Sequence, residues 1–320
     1  MPSRKKRIVL YNPQQKRKGE DPPYSKDCLP LSLLTIAGWP DRDGYEVVIV
    51  DGELYPQAEA HARVLEACEG ALLYATTGIL GYQVADGFLC TRAVKARFPG
   101  LPAFIGGWFA SVAPELQLET GLYDAVALGQ GEITFREIVH AVDAGEPLDG
   151  IAGLALWRDG AVVRTATRFA VGWDQLPDNA WHLIDFAPYR EAQLAQRGRP
   201  EWEAVAPPPD ADSPSRRAPH VTAAYYASYG CPLQCTFCCS PEVSGLRWKA
   251  MPAERMLDDV LGLKERWGFD VLRFYDANYG VAEKRAEDAD VLAWAREHDP
   301  DAAIVIPPLH DGDLLLFDGR

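Results

Sequence analysis

The sequence has no apolar run that approaches the roughly 18 residues needed by a membrane-spanning helix. It also has no signal-peptide core, because the apolar run after the basic start covers only Ile8 to Leu10. Basic residues are scarce, with 32 Lys and Arg against 46 Asp and Glu and a net charge of −14. That balance excludes the basic surface typical of nucleic-acid-binding proteins. We therefore expect a cytoplasmic protein that binds neither membranes nor nucleic acids.

The basic start, residues 4–7, is interpreted as a solvated lead-in to a first strand, with a nuclear or nucleic-acid signal as the alternative. Hydrophobic residues make up 48% of the chain and charged residues 24%, an ordinary composition for a 320-residue protein of about two domains. Cysteine is distributed unusually, because four of the seven cysteines lie within residues 231–239. In a cytoplasmic protein this clustering favours metal or redox chemistry over disulfide bonds.

Apolar runs alternate with helical segments through the first 144 residues. We predict strands at 8–12, 45–51, 71–75, 102–106 and 124–128, and helices at 30–39, 57–68, 82–98, 113–119 and 133–144. Parallel strands need crossover helices, so this alternation predicts a doubly wound, Rossmann-like α/β domain.

Ligands of such sheets bind beyond the carboxyl ends of the strands. The loops there provide our candidate binding residues: Thr76, Thr77, Gly78, Gly106, Gly107, Trp108, Gly129, Gly131 and Glu132. Glycine lets a backbone approach a ligand closely, although each of these glycines equally fits a tight turn.

The second half of the chain begins with a predicted hairpin around Asp159-Gly160 and a linker at 191–219. The α/β pattern then resumes with strands at 221–228, 270–275 and 302–306, a helix from Pro252 to Trp267 ended by Gly268, and a helix at 283–298. We predict a domain at residues 1–150, a hairpin and linker at 151–219, and a second domain at 220–320.

The cysteine loop carries the strongest chemical signal. Cys231, Cys235 and Cys238 follow a predicted strand with C-x₃-C-x₂-C spacing. Three close thiolates can ligate three irons of a [4Fe–4S] cluster and leave the fourth iron open for chemistry. A zinc knuckle is one alternative, although its usual paired C-x₂-C units are missing. A four-cysteine electron-transfer cluster that uses Cys239 is another, but adjacent residues of an extended loop point apart, so we expect Cys239 to be a small buried or spectator thiol.

The loop from Cys231 to Cys238, with Phe237 before the third cysteine, resembles the radical S-adenosylmethionine (SAM) superfamily. The resemblance implies a (β/α) TIM-type barrel with the cluster at the top of its first strand, SAM on the open iron, and Phe237 near the adenine. Residues 274–279 resemble the second-strand segment of the cobalamin-containing branch. This implies that Asp276 or Asn278 approaches SAM or the reaction centre; strand capping and turn formation are the alternative role.

The first domain strengthens this resemblance. Its segments 30–34, 44–51, 106–108 and 129–135 are similar, in this order, to the cobalamin-binding domain of class B radical SAM methyltransferases. An Asp-x-His-x-x-Gly motif is missing, so no histidine ligand to cobalt is expected. The resemblance implies a [4Fe–4S] cluster, SAM and cobalamin as cofactors, an external low-potential electron donor, and methyl transfer to an unactivated centre of a small-molecule substrate. A radical cyclase or rearrangement enzyme, and a domain that has lost cobalamin, are the alternatives.

Cys28, Cys68 and Cys90 raise a further alternative, because methylthiotransferases hold a second cluster on three N-terminal cysteines. Cys68 and Cys90 lie in predicted helices and Cys28 in a loop, so we predict buried thiols instead. The second domain also departs from the family, since about 80 residues follow the cluster loop and provide only part of a barrel. We expect a C-terminally truncated fragment, a chain completed by a partner chain, or a module that binds cluster and cobalamin without turnover.

Overall fold

The computed structural model of the chain describes residues 5–15, 29–79, 81–195, 221–269, 271–277, 303–306 and 315–316. These residues form two compact units, each described separately below. The first contains the described residues of 1–23, 30–184 and 234–246, and the second those of 24–29, 185–233 and 247–320. The domain limits predicted from the sequence stay a prediction.

The elements follow the chain in this order: β1 (Arg7–Asn12), α1 (Leu31–Arg42), β2 (Glu46–Asp51), α2 (Gln57–Ala67), β3 (Leu73–Thr77), α3 (Tyr82–Arg97), β4 (Ala103–Gly106), α4 (Trp108–Val112), α5 (Pro114–Leu118), β5 (Ala125–Ala127), α6 (Glu132–Ala144), β6 (Leu154–Arg158), β7 (Ala161–Arg164), α7 (Ala187–Ala195), β8 (Thr222–Tyr225), β9 (Ser228–Gly230), α8 (Ser240–Ser244), β10 (Trp248–Ala250), α9 (Ala253–Trp267), β11 (Val271–Phe274), β12 (Ala303–Ile306) and β13 (Leu315–Leu316). No helix in this described part of the chain has the length and apolarity to cross a bilayer.

The first unit is built on a seven-stranded sheet with the order β2-β1-β3-β4-β5-β6-β7. Its first five strands are parallel, which confirms the predicted doubly wound α/β domain. From β1 the chain continues to β2 on one side of the sheet, and from β3 it continues to β4 on the other side. The switch point therefore lies between β1 and β3, and open parallel sheets bind ligands at such a point. The predicted hairpin is also confirmed: β6 and β7 pair antiparallel and extend this sheet through β5. Asp159 and Gly160 both have positive φ, +50° and +81°, as a tight hairpin turn requires.

Residues of β1 alternate between two cores, because successive side chains of a strand point to opposite faces. Ile8 and Leu10 pack in the core that contains residues of α1 and α6. Val9 and Tyr11 pack in the core that contains residues of α2 and α3. The sheet is therefore covered on both faces, as the nearly continuous apolar run of β1 predicts.

Two of the three N-terminal cysteines lie in the second of these cores. Cys68 and Cys90 are 1% and 0% exposed, which confirms that they are buried thiols. Burial raises the pKa of the Cys68 thiol to about 12, so this thiol is protonated at neutral pH. Cys28 lies outside the described residues.

The second unit contains parallel strands β8, β11 and β12, with β13 antiparallel at the edge beside β12. A separate ladder joins β9 and β10. The predicted helix after Pro252 is confirmed as α9, and Gly268 ends it in the left-handed conformation with φ +61°. In the part of the chain that is described, these strands do not close into a barrel.

The predicted helix at 113–119 is confirmed as α5, with Pro114 as its first residue, and the short helix α4 before it was not predicted. Two other predictions about elements were wrong. The single strand predicted at 221–228 is interrupted at Tyr226 and Ala227. The predicted linker at 191–219 begins inside α7, while residues 196–219 lie outside the described residues, as does the predicted helix at 283–298.

Candidate functional site

The loops after β3 and β4 interlock at the carboxyl edge of the first sheet. The Gly78 amide donates to the Gly106 carbonyl at 3.1 Å, and the Phe109 amide donates to the Gly78 carbonyl at 3.2 Å. Gly107 has φ +99°, and a Cβ there would lie 2.8 Å from both the Gly78 carbonyl oxygen and Thr77 Oγ1. Only glycine fits at this point, because the space beside its Cα is filled by the neighbouring loop.

The loop after β5 joins the same edge. The Gly129 amide donates to Ser111 Oγ at 3.0 Å, and the Ser111 amide donates to the Gly107 carbonyl at 3.0 Å. Gly129 has φ +69°, and a Cβ there would lie 3.2 Å from the Val243 carbonyl oxygen. Helix α8, which contains Val243, also contacts α4. The segment that carries the second and third motif cysteines therefore packs against the candidate ligand loops, within the first unit.

The described part of the cysteine loop shows a graded exposure. Cys231 is buried, Cys235 is half-buried and Cys238 is exposed. The Cys238 amide donates to the Cys235 carbonyl at 3.1 Å, and the Ser240 amide donates to Cys238 Sγ at 3.4 Å. Hydrogen bonds to sulfur of this kind are one of the ways in which proteins tune iron–sulfur clusters. Cys239, directly before α8, is exposed, so it is not a buried thiol; its expected role as a spectator thiol stays a prediction.

The donor set distinguishes between kinds of metal site. Among the described residues, no three His, Cys, Asp or Glu side chains converge as a mononuclear metal ion requires. In a cubane cluster each thiolate binds a different iron, so the sulfur atoms lie farther apart than the ligands of one ion. Cys235 and Cys238 of the first unit, with a backbone amide already bound to Cys238 Sγ, suit the ligation of such a cluster; the full ligand set with Cys231 stays a prediction.

Large apolar side chains remain exposed on this unit. Phe237 is 84% exposed, and Ile79, in the loop after β3, is 50% exposed. Solvent-exposed apolar groups of this size are typical of ligand-binding surfaces when they occur in contiguous patches. The predicted contact between Phe237 and the adenine of SAM stays a prediction.

Two predicted binding residues are turned into the protein. Thr76 is 3% exposed, and its hydroxyl donates to the Tyr11 carbonyl at 3.1 Å. Glu132, the first residue of α6, is 8% exposed. Burial raises the pKa of its carboxyl group, against a smaller opposing effect of a hydrogen bond with Thr35. Its Oε2 atom has no hydrogen-bond partner among the described residues. Gly131 faces α1, since a Cβ there would lie 3.5 Å from Ile36 Cγ2. Trp108, at the start of α4, is half-buried.

In the second unit, Asp276 follows β11 and binds the interruption between β8 and β9. Its two carboxylate oxygens each lie 3.1 Å from the Ala227 amide, which donates to them, and the Ser228 hydroxyl donates to Oδ1. This is the strand-capping role that the sequence analysis gave as the alternative. Asn278 lies outside the described residues.

Comparisons with known proteins point in one direction, although no family model matches the chain. The chain is 26% identical over 264 residues to an uncharacterized methyltransferase of Pyrococcus horikoshii, a match that covers 81% of this chain and 51% of that protein. It is 24% identical over 317 residues to the cytidylyl-2-hydroxyethylphosphonate methyltransferase of Streptomyces wedmorensis, covering 86% and 55%. The anaerobic magnesium-protoporphyrin IX monomethyl ester cyclase of Synechocystis sp. matches at 23% over 282 residues, covering 85% and 50%. The chain thus spans about half the length of the curated relatives it matches.

Solved structures show the same fold. The radical SAM methyltransferase TsrM from Kitasatospora setae, with cobalamin and a [4Fe–4S] cluster bound, superposes with a TM-score of 0.66 at 15% identity, over 93% of this chain and 54% of that one. The cobalamin-dependent radical SAM enzyme OxsB, with aqua-cobalamin bound, has a TM-score of 0.65 at 15% identity, over 86% and 34%. The chain is therefore similar in fold to cobalamin-dependent radical SAM enzymes.

A buried polar network at the switch point was not predicted from the sequence. Asp86, on α3, is 0% exposed and accepts hydrogen bonds from the Tyr11 hydroxyl at 2.6 Å, Gln57 Nε2 at 2.7 Å and the Gln14 amide at 2.9 Å. His61 Nε2 lies 2.9 Å from Asp86 Oδ1, the oxygen that also accepts from Gln57, whereas Tyr11 and Gln14 donate to Oδ2. Burial alone would raise the pKa of Asp86, but these hydrogen bonds outweigh it and the pKa is lowered.

A second part of this network lies beside the first. Asn12 Nδ2 donates to Asp51 Oδ1 at 2.8 Å, and Gln83 Nε2 donates to Asn12 Oδ1 at 3.3 Å. The signal in the sequence was the change from apolar to polar residues at the carboxyl ends of β1 and β2, at Asn12 and Asp51. Such residues mark a ligand edge or a buried network, and periodicity does not distinguish the two.

Replacing Gly107 by alanine is expected to destabilise the first unit by about 2 kcal/mol or more, because left-handed strain adds to overlap with the Gly78 carbonyl. Gly44→Ala is the matched control, since Gly44 has a similar φ of +94° but nothing within 4 Å of an added Cβ. It should cost only the strain, about 1 kcal/mol. Native-state hydrogen exchange of the β3 and β4 amides measures the loss of stability in both variants. Equal losses for the two variants would show that the loops do not interlock through Gly107.

Proposed function

We propose that this chain is the cluster- and cobalamin-binding part of a radical SAM enzyme that methylates an unactivated centre of a small-molecule substrate. Cys231, Cys235 and Cys238 would hold the [4Fe–4S] cluster, and SAM would bind its open iron. When bound, the cluster supplies the electron that cleaves SAM to a 5′-deoxyadenosyl radical, and cobalamin supplies methyl-transfer chemistry. The proposal is supported most by one observation, the packing of the Cys235–Val243 segment against the ligand loops of the first sheet.

The chain's own residues suggest how the cofactors would be held. The loops at 76–78, 106–108 and 129–132 form one hydrogen-bonded edge where a planar corrin would lie. Glu132 is buried at the start of α6, so it would support this edge from inside and would not contact the corrin itself. Phe237, exposed on the cysteine loop, would cover the adenine of SAM and exclude water from it.

The proposal extends to the surroundings of the site. An external low-potential electron donor would reduce the cluster, and a partner chain would complete the barrel. We also propose a cytoplasmic location, where reducing conditions keep thiols available for iron. A second candidate function is a radical cyclase without methyl transfer, since one curated relative is a cyclase.

The test is anaerobic reconstitution with iron, sulfide and cobalamin, followed by SAM and a low-potential reductant. We expect bound cobalamin, measured by absorbance after gel filtration, and 5′-deoxyadenosine, measured by chromatography. With SAM labelled in its methyl group, a methyltransferase places label in the product, whereas a cyclase does not. A protein that binds a cluster but neither retains cobalamin nor cleaves SAM would contradict the proposal.

A further inference from the structure

The carboxylate of Asp276 connects β11 to the point where the strand that leads to the cysteine loop is interrupted. The ladder between β8 and β11 runs to the pair Phe274 and Tyr225, and the Tyr275 amide still donates to the Tyr225 carbonyl at 2.8 Å. Beyond this backbone hydrogen bond, the Asp276 carboxylate accepts hydrogen bonds from the Ala227 amide and the Ser228 hydroxyl. A side chain thus continues the connection between the strands where the backbone ladder ends.

The interruption is held from its other side as well. The Ala227 carbonyl accepts from the Met251 amide at 2.7 Å, so both backbone groups of Ala227 are engaged. Ala227 and Ser228 are 0% and 5% exposed. Buried hydrogen bonds to a carboxylate are stronger than those between neutral groups, so Asp276 contributes more to this junction than a neutral side chain would.

Only β9 separates this junction from the first motif cysteine. Ser228 and Gly230 of β9 pair with Ala250 and Trp248 of β10. Gly230 turns the chain with φ +79°, and the next residue is Cys231, which is 8% exposed. A strand of three residues that is paired with β10 leaves the backbone little freedom to move. The position of the Ala227–Ser228 junction therefore fixes the position of Cys231.

We propose that Asp276 is a positioning residue that orients Cys231 for the cluster through Ala227 and Ser228. The inference rests on the proposed function, because Cys231 needs orienting only if it binds the cluster. The hydrogen bonds from Ala227 and Ser228 to Asp276 form in the protein without cofactors. Asparagine would not replace it, because asparagine offers one acceptor oxygen where the aspartate offers two, and its amide group would face a donor.

The experiment uses the full chain without cofactors and measures the alkylation of each cysteine by iodoacetamide with mass spectrometry. Cys238 is exposed and serves as the internal standard for Cys231. In Asp276→Ala, the rate for Cys231 relative to Cys238 should rise about 10-fold or more, the factor expected from losing a hydrogen bond to a charged group. Hydrogen exchange at the Ala227 amide should accelerate by a similar factor, while Asp276→Asn should give a smaller increase in both.

The matched control is Gln193→Ala. It removes a side chain that accepts from the Thr222 amide at 2.7 Å and donates to the Thr222 carbonyl at 2.9 Å, at the start of the strand that leads to the junction. Its relative Cys231 rate should stay within about twofold of that of the original protein, because distant sites act almost independently. An unchanged ratio in Asp276→Ala, or an equal rise in Gln193→Ala, would overturn the inference.

A spectroscopic measurement separates this inference from the proposed function. After reconstitution, Asp276→Ala should bind iron with an altered electron paramagnetic resonance spectrum of the reduced cluster, and Gln193→Ala should keep the original one. An identical spectrum in Asp276→Ala would also count against a positioning role for Asp276. If the original protein binds no cluster, the proposed function fails, while the alkylation ratio still decides whether Asp276 positions Cys231.

Discussion

Replacing Cys231, Cys235 and Cys238 together by alanine is expected to reduce bound iron and 5′-deoxyadenosine formation to background. These thiols are the predicted protein ligands of the cluster, and a cubane that loses its three thiolates has no attachment to the chain. Iron and sulfide analysis after anaerobic reconstitution measures binding, and chromatography measures SAM cleavage. The fold of the first unit should survive, because Cys235 and Cys238 are not part of its buried cores.

The control for this result is Cys239→Ala. Cys239 is exposed beside Cys238, so it is the cysteine that a four-thiolate electron-transfer cluster would use. We expect Cys239→Ala to keep its iron and its SAM cleavage. Loss of the cluster in Cys239→Ala, or a full complement of iron in the triple variant, would contradict the proposed ligand set.

Replacing Asp86 by alanine is expected to destabilise the first unit by about 3–5 kcal/mol, the largest effect on stability that we predict for a single residue. The carboxylate is 0% exposed, and its removal leaves the Tyr11 hydroxyl and the Gln14 amide buried without their acceptor. Hydrogen exchange of β1 and β3 amides measures this loss in the first unit alone. Asp149→Ala is the control: Asp149 pairs with Arg158 at the surface, where an ion pair contributes little.

The same carboxylate gives a pH dependence with a definite sign. Because the pKa of Asp86 is lowered by folding, its contribution is fully present above the unfolded pKa of about 3.9. It is lost as the pH falls through the lower pKa of the folded state. The difference in stability between the original protein and Asp86→Asn should therefore be constant from pH 7 to about pH 5 and shrink below about pH 4. A constant difference down to pH 3 would show that folding does not lower the pKa of Asp86.

Local patterns in the sequence predicted most elements correctly. The parallel sheet follows from the regular alternation of apolar strands and helices, and the hairpin from Asp159-Gly160, whose residues adopt positive φ easily. The helix at 113–119 was predicted correctly, whereas α4 was missed because five residues are too few to show a helical repeat. The continuous strand at 221–228 was wrong for a different reason, since residues far along the chain hold its interruption in place.

The sequence by itself determined the α/β class, the cysteine spacing that fits a cubane cluster, and the loops at the ligand edge. Each of these depends on periodicity, turn residues or ligand spacing within a short stretch of chain. Only the tertiary structure decided that Gly107 makes room for Gly78, that Asp86 organises the switch point, and that Asp276 binds Ala227. It also placed Val243 against Gly129. The physical reason is that hydrogen bonds and close contacts between distant residues depend on side-chain direction in three dimensions, which no local pattern encodes.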